Sequence, residues 1–578
     1  MYILGISCYY HDSAAALIKD GRIIAAGEEE RFSRKKHDNS FPINAITFCL
    51  KKAGITSDQI DAVAFYEKPL LKFDRLLHQH LHGFPFSYWS FYKAVPSWVN
   101  EKLRIPTILK KKLKYKKKPI YYIQHHMAHA ASSYLVSPFK EAAILTVDGV
   151  GEWTTTAYGY AKGNDIHLKK QIEFPHSLGL LYSTVTAYLG FKVNNDEYKV
   201  MGLAPYGKPV YCDKIRKLIT VKDDGSYALN MDYFDFHTKM RMPSKKFIEE
   251  FGHVRKHGAN IEQKHKDIAA SLQKVVEETL FKILNNLHKE TKCDNLCIAG
   301  GVALNSVANG KIKRNTPFKN IYIQPAASDA GTALGAALYV WHSILGNNRE
   351  YVQTTSYFGP SFTAEEIKKF LDEKKIVYKE FKDKKELITA TAELIHKNNV
   401  IGWFMGAMEW GPRALGNRSI LANATHPNMK DIINAKVKHR EMFRPFAPVI
   451  IEEKVKEWFH IDKENEPFML FVYPFKEEKH KIVPSVVHVD GSGRLQTINK
   501  NQNEDYHNII TEFEKLSGVP ILINTSFNIR GEPIVCTPQE AYRCMMGTGI
   551  DYLAIDKFLV AREDNPKDMW DSESIAKD

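Results

Sequence analysis

The 578-residue sequence lacks any apolar run long enough to cross a bilayer, and no basic stretch leading into an apolar one opens it. The expectation is therefore a cytoplasmic protein, neither embedded, nor secreted by that route, nor partnered with a membrane. Cysteine is sparse: seven residues, odd in number and scattered, with Cys293 and Cys297 the nearest pair and no second pair at zinc-site spacing. That excludes a disulfide framework and a structural zinc site and predicts reduced thiols. Acid is missing from "KKKLKYKKK", residues 110–118, where seven lysines supply more than half of the formal net charge of +13. Charge concentrated in this way predicts a surface loop or docking patch, so nucleic acid is not expected as a partner. What the chain does have is 44% hydrophobic and 25% charged residues over a length too great for one core, hence two to four domains.

The opening "MYILGISCYYHDSAAALIKDGRIIAAGEEERF" alternates as strand, polar turn, strand, Asp-Gly turn, strand. "AAILTVDGVGEWTTTAYGYAKGNDIHLKKQIEF" repeats that order from Ala142. The repeat predicts two related halves of one α/β domain whose first turns face a shared cleft, where Gly-rich polar turns hold phosphate or metal. Residues 265–290 have helical apolar spacing, and "NLCIAGGVALNSVANGKI" reads as a buried strand, Gly300-Gly301, then a helix start. Linker composition at residues 346–360 separates a first domain, 1–345, from a second α/β domain, 361–578, that ends in a polar tail.

Three constellations carry chemistry. In "QHHMAHAASSYL", His125 and His129 stand one helical turn apart, and two strand ends supply Asp148 and Asp329 as oxygen donors. Two imidazoles with carboxylates suit Fe(II), Mn or Zn, and the ligand types do not choose among them. "MEWGPRALGNRSIL" sets Arg413 and Arg418 beside glycines, and "LINTSFNIRGEPIV" places Asn524, Ser526, Asn528 and Arg530 at the end of a buried strand. "NATHPNMKDIINAKVKHREMFRPFAPVI" adds Lys438, Arg440 and Arg444 just before an apolar, proline-stiffened stretch. Cations so close to an interior need anions, and a polyphosphate nucleotide with a second small anion accounts for their number.

These stretches, with "YYHDSAAAL", "EEERFSRKKHD", "DGVGEWTTT", "PHSLGLLYS", "NDEYKVMGLAPYG", "SDAGTALGAAL" and "HVDGSGRLQTI", resemble the NodU/CmcH-type O-carbamoyltransferases along nearly the whole chain. The resemblance implies an actin/hexokinase-like N-terminal domain, similar to the tRNA threonylcarbamoyl-transferring proteins, followed by a YrdC-like domain. It implies that the second domain makes carbamoyl adenylate from ATP, with Mg, and carbamoyl phosphate. The first would then pass the carbamoyl group to a hydroxyl of a sugar or small molecule. The implied metal ligands are His125, His129, Asp148 and Asp329, with iron the implied metal. His11, with Asp12 beside it, takes the place of the general base, and Gly300, Gly301 and Asn305 lie against the first domain's nucleotide. The acceptor is not legible, and a homo-oligomer is allowed for. The aromatic stretch "HGFPFSYWSFYKAVPSWV" is expected to be core or lid packing. Two other readings compete: a small-molecule kinase on the same N-terminal fold, which would yield ADP, and a nucleotide-regulated nucleic-acid-binding protein using the lysine run.

Overall fold

The structure is a computed structural model that describes residues 1–113 and 118–566, the side chain of Ser97 excepted. It is mixed α/β and divides into two compact units. One comprises Met1–Glu29 and His37–Gln353; the other comprises Glu30–Lys36 and Thr354–Asp578. The chain passes between them inside residues 346–363, which carry no regular structure.

In the first unit β1 (Tyr2–Ser7), β2 (Ala14–Lys19) and β3 (Arg22–Glu28) form an antiparallel meander, and β4 (Ala62–Phe65) and β5 (Ile120–Tyr122) add in parallel, in the order β3-β2-β1-β4-β5. β6 (Glu141–Val147), β7 (Thr154–Lys162) and β8 (Asp165–Glu173) repeat the meander; β9 (Ile219–Val221) and β10 (Tyr227–Leu229) form a separate hairpin. β11 (Asn295–Ala299) and β12 (Asn320–Ile323) then join β6 in parallel, in the order β12-β11-β6-β7-β8. The two sheets share one topology, so the repeat legible in the sequence is a repeat of the fold. Near-continuous apolar runs in β1, β2 and β6 reflect burial on both faces.

The second unit is built on one nine-stranded mixed sheet: β13 (Lys379–Glu380), β14 (Ile401–Phe404), β15 (Arg418–Asn423), β16 (Ala447–Ile451), β17 (Phe471–Pro474), β18 (Ser492–Ile498), β19 (Ile521–Ser526), β20 (Tyr552–Ile555) and β21 (Phe558–Ala561). Their order is β13-β21-β20-β14-β15-β19-β16-β18-β17. Helices Lys384–His396 and Glu504–Ser517 pack together, and Leu387, Ile395, Trp403, Ile510, Phe513 and Leu522 form the core beneath them.

Two expectations are corrected. Glu30–Lys36, read as part of the first domain, belongs to the second unit. Arg31 donates to the carbonyl of Gly411 at 3.0 Å, Arg34 to those of Ile534 and Pro533 at 2.7 and 2.8 Å, and Phe32 packs against Met408, Ala414, Ile534 and Cys536. Such long-range contacts leave no trace in local periodicity. The lysine run, read as a loop, is in part helical: Lys110–Lys112 occupy the last turn of helix Ile105–Leu113, where cations suit the helix dipole and Leu109 and Leu113 are buried. Residues 114–117 of that run, and residues 567–578 of the expected polar tail, lie outside the described residues.

Candidate active site

Helix His125–Tyr134 is buried along almost its full length, and small residues dominate it because another helix presses on its backbone. A Cβ on Gly335, in helix Asp329–Tyr339, would lie 1.8 Å from the carbonyl oxygen of Ala128. This contact brings Asp329, in the first turn of one helix, to His125 and His129 on the other. Asp148 follows β6, and Gly300, at φ 97°, lets β11 pass so close that a Cβ would sit 2.2 Å from the Val147 carbonyl oxygen. The helix is anchored at both ends. Glu152 accepts from the backbone N–H of His125 at 3.0 Å and of Lys68 at 2.8 Å, and Arg349 donates to the carbonyl of Tyr134 at 2.7 Å. An acid at the N-terminus and a base at the C-terminus both complement the dipole.

His125 Nε2 lies 3.1 Å from Asp148 Oδ2, 3.6 Å from Asp329 Oδ1 and 3.1 Å from His129 Nε2. His129 Nε2 is 3.8 Å from each of those carboxylate oxygens. Ligand bonds of about 2.1 Å place neighbouring donors ~3.0–3.4 Å apart, a range that two of these separations meet and that the other three, at 3.6–3.8 Å, slightly exceed. Burial pushes the Asp148 carboxyl up, but His125 and His129 outweigh it and hold it well below the ordinary range. Asp329 is pushed up by burial and by Asp148, and its Oδ2 has no partner. Two carboxylates forced together in a buried place, opposite two imidazole nitrogens, fit a divalent cation.

His11, in the turn after β1, has Nδ1 2.9 Å from Asp12 Oδ2 and Nε2 against the carbonyl of Asn194. Both partners are acceptors, so both ring nitrogens must donate and the ring is an imidazolium. Burial opposes this charge, but Asp12, Asp329 and the Asn194 carbonyl raise the His11 pKa to about 10. In this conformation His11 has no lone pair with which to act as a base. Asp12 also holds His37, Nδ1 to Oδ1 at 2.9 Å, and His37 Nε2 faces Asn195 Oδ1 at 2.7 Å. Asn194 carries φ 61°, a left-handed backbone uncommon outside glycine.

In the second unit Lys438 is 3% exposed, and its ammonium donates to the Ser526 carbonyl and to Asn528 Oδ1 at 2.8 Å. Arg530 donates to the carbonyl of His439 at 3.0 Å, and Arg440 stacks 4.6 Å from the centre of Phe446. Arg494 is held well below an ordinary arginine's proton affinity by burial and by Arg413, Arg440 and Arg444. Burial, with Arg440 and Arg444 nearby, likewise depresses Lys438. Lys438, Arg413, Arg440, Arg444 and Arg494 therefore crowd one another in a poorly solvated place, an arrangement whose natural counterpart is a multiply charged anion.

A family model described as "Carbamoyltransferase N-terminus" matches residues 2–338, and one described as "Carbamoyltransferase C-terminus" matches residues 392–562. The chain belongs to the carbamoyltransferase family. This carbamoyltransferase is 47% identical to an uncharacterized protein of Synechocystis sp., over 98% of this chain and 97% of the other. It is 38% identical to nodulation protein NolNO of Sinorhizobium fredii, over 97% of this chain and 80% of that one. Among solved structures, component A of the (R)-2-hydroxyglutaryl-CoA dehydratase of Acidaminococcus fermentans aligns with 60% of this chain and 99% of its own, at 14% identity and a TM-score of 0.32.

Several of the residues expected to bind ligands make internal contacts in this structure. Arg418, expected to grip an anion, is fully buried, and its terminal nitrogens donate to the carbonyls of Met405, Asn417, Pro360 and Gly406. At the start of β15 its side chain points inward, stacked 3.6 Å from the centre of Phe404, and holds the loops together. Asn524 Nδ2 donates to the Ala414 carbonyl and Gln496 Oε1 at 3.0 and 2.7 Å, and its buried Oδ1 has no partner among the described residues. Asn305 caps helix Ser306–Asn309 and pairs with Gln273, and the Gly301 N–H donates to Asp148 Oδ1 at 2.9 Å. In this conformation these groups support the sites from behind. Conversely, Arg494, Glu152 and His37 stand inside quoted motifs and were not singled out. Arg494 had a usable signal, since it directly follows a glycine in "DGSGRLQ" on a strand beside the predicted cation site. Arg418→Ala should unfold at lower urea concentration, with a loss of about 3 kcal/mol or more because several buried carbonyls lose their donor. A midpoint equal to wild type would return Arg418 to the list of anion ligands.

Proposed function

We propose that the chain is an ATP-dependent O-carbamoyltransferase with two reaction centres. The second unit, of YrdC-like type, splits carbamoyl phosphate with water into carbamate and phosphate, and a carbamate oxygen then displaces pyrophosphate from the α-phosphorus of ATP to give carbamoyl adenylate. The first unit, of actin/hexokinase-like type, passes the carbamoyl group to a hydroxyl of a sugar or small molecule. The observation that carries this reading is the mutual crowding of Lys438, Arg413, Arg440, Arg444 and Arg494, which exceeds what one monophosphate needs. The duplicated sheet topology supports the fold assignment of the first unit.

His125, His129, Asp148 and Asp329 would hold a divalent ion, iron by resemblance, with Mn or Zn equally served by these donors. Bound there, it would supply positive charge beside the phosphate and carbonyl oxygens of the adenylate. In the transfer step the acceptor oxygen bonds the carbamoyl carbon, the bond from that carbon to the phosphate oxygen breaks, and AMP leaves. The hydroxyl proton goes to His11 Nε2, with the acceptor taking the place of the Asn194 carbonyl. Losing that carbonyl removes one of the interactions that raise the pKa of the ring, so acceptor binding itself prepares the base.

The test is the nucleotide product. ATP should give AMP and pyrophosphate only when carbamoyl phosphate is present; ADP would identify a kinase and end the proposal. His11→Asn should keep metal and pyrophosphate release and lose transfer by roughly 10²–10⁴-fold. Because the wild-type ring must first lose a proton, transfer should rise with pH across the neutral range, and that rise should vanish in His11→Asn. A variant with wild-type rate and slope would remove His11 from proton transfer.

A further inference from the structure

The motif "HVDGSGRLQTI" holds a second polar cluster beside Arg494. Its first residues turn tightly into β18: the His488 N–H donates to the Ser492 carbonyl at 2.7 Å, the Gly491 N–H donates to the His488 carbonyl at 2.9 Å, and Gly491 holds φ 76°, which a side chain would strain. The turn sets three polar side chains in a line. Ser492 Oγ donates to Asp490 Oδ1 at 2.6 Å, and His488 Nδ1 lies 3.3 Å from the same hydroxyl. The one hydroxyl proton is engaged by the carboxylate, so Nδ1 must carry the ring's proton and Nε2 keeps its lone pair. That Nε2 is shielded from solvent and has no partner among the described residues. A buried acceptor without a donor costs stability, so its presence asks for a ligand.

Ser492 and Arg494 stand two residues apart on β18 and so project from one face of the sheet. Gln496 shares that face and donates to the Leu415 carbonyl at 2.9 Å, in the loop that carries Arg413. The charges of Arg494 and Lys430 act on His488, which lies by the backbone of Phe446, the residue whose ring holds Arg440. Burial and the two cations outweigh Asp490 and the Phe446 backbone and hold the ring's pKa down to about 4. The imidazole therefore stays neutral, and it is a weak base for taking a proton from water. What it offers is acceptance. Lysine and arginine only donate, and Arg494 Nε is likewise buried without a partner, so this face presents a donor and an acceptor together. Carbamoyl phosphate presents oxygens to the cations; its one donating group is the carbamoyl NH2, which carbamate keeps.

We propose that His488 recognises the carbamoyl group, its Nε2 accepting from the NH2 while the surrounding cations hold the phosphate oxygens. Ser492 and Asp490 are positioning residues that fix the tautomer of the ring. This role rests on the second unit being the adenylate-forming centre. It gives the choice of acyl group to one side chain. Acetyl phosphate has the same phosphate and carbonyl with a methyl in place of the amino group, and would leave Nε2 unpaired. Sites built to hydrogen-bond a substrate N–H reject analogues that lack it.

The assay is pyrophosphate release from ATP by the full chain, with carbamoyl phosphate as substrate and acetyl phosphate as competing ligand. His488→Phe, close in shape but without an acceptor, should raise the KM for carbamoyl phosphate about tenfold or more, leave the KM for ATP within about twofold, and bind acetyl phosphate at least as well as wild type. His488→Gln, whose amide oxygen can take the place of Nε2, should recover most of the loss. Ser492→Ala frees the tautomer and should raise the KM for carbamoyl phosphate by a smaller factor, with the other two constants little changed; it decides the question if thermal unfolding shows that His488→Phe does not fold. The idea fails if the KM for carbamoyl phosphate is unchanged in both His488→Phe and Ser492→Ala. It fails equally if the KM for ATP or the inhibition constant of acetyl phosphate rises as much as the KM for carbamoyl phosphate, which would mark a general loss of the site. A wild type without carbamoyl-phosphate-dependent pyrophosphate release would overturn the adenylate reading and His488 with it, whereas an active wild type whose preference for carbamoyl over acetyl phosphate survives both changes would overturn the role of His488 alone.

Discussion

His129→Ala, and equally His125→Ala, should purify without the metal of the wild-type protein and show no carbamoyl transfer, while still forming AMP from ATP when carbamoyl phosphate is supplied. Each imidazole is one of four converging donors, and either change would leave two close carboxylates in a buried pocket facing one imidazole instead of two. With only one imidazole to offset it, part of that repulsion would be relieved by protonation, which removes a further ligand. Adenylate formation is assigned to the other unit and should survive. Elemental analysis beside a pyrophosphate assay reads both halves. Unchanged metal in both variants would show that these histidines serve packing only.

Arg494→Ala should lose carbamoyl-phosphate-dependent pyrophosphate release and leave metal content intact, the mirror image of the first result. Lys438→Ala, Arg440→Ala, Arg444→Ala and Arg530→Ala should behave alike. A charge-assisted contact to phosphate is worth about 1.5–3 kcal/mol, or roughly 10- to 150-fold per residue in binding, and more where several contacts align one reacting phosphate. Thermal unfolding adds an independent reading. Removing Arg494 from its crowd of cations in a site without ligand should stabilise the protein or leave its midpoint unchanged, whereas removing a purely structural arginine such as Arg418 should lower it. A variant at position 494 with wild-type pyrophosphate release would move the adenylate site elsewhere.

The places where sequence reasoning stopped are informative. Arg413, Arg418 and Arg494 look alike on paper, each within two residues of a glycine. Arg418 is consumed by carbonyls of its own unit, whereas Arg494 is pressed against other cations. What separates them is the direction of a side chain at the edge of a strand and the identity of residues up to 81 positions away, between Arg413 and Arg494 at the extreme. The base assignment met a similar limit. "HD" near the N-terminus reads as a histidine oriented by a carboxylate, and Asp12 does hold it, but the carbonyl that closes on Nε2 comes from Asn194, 183 residues later.

By itself the sequence determined the meander repeated at Met1 and Ala142, the helix that sets His125 and His129 one turn apart, the concentration of lysine at residues 110–118, and the family. These rest on local periodicity, spacing and composition, which neighbouring residues carry without help from the fold. Only the tertiary structure decided that Glu30–Lys36 belongs with the second unit, that Arg418 is scaffold while Arg494 faces cations, and that the aromatic stretch turns outward at Phe84, Phe86, Trp89 and Tyr92. Each of these depends on which distant segments share space, and burial and charge crowding are properties of that sharing.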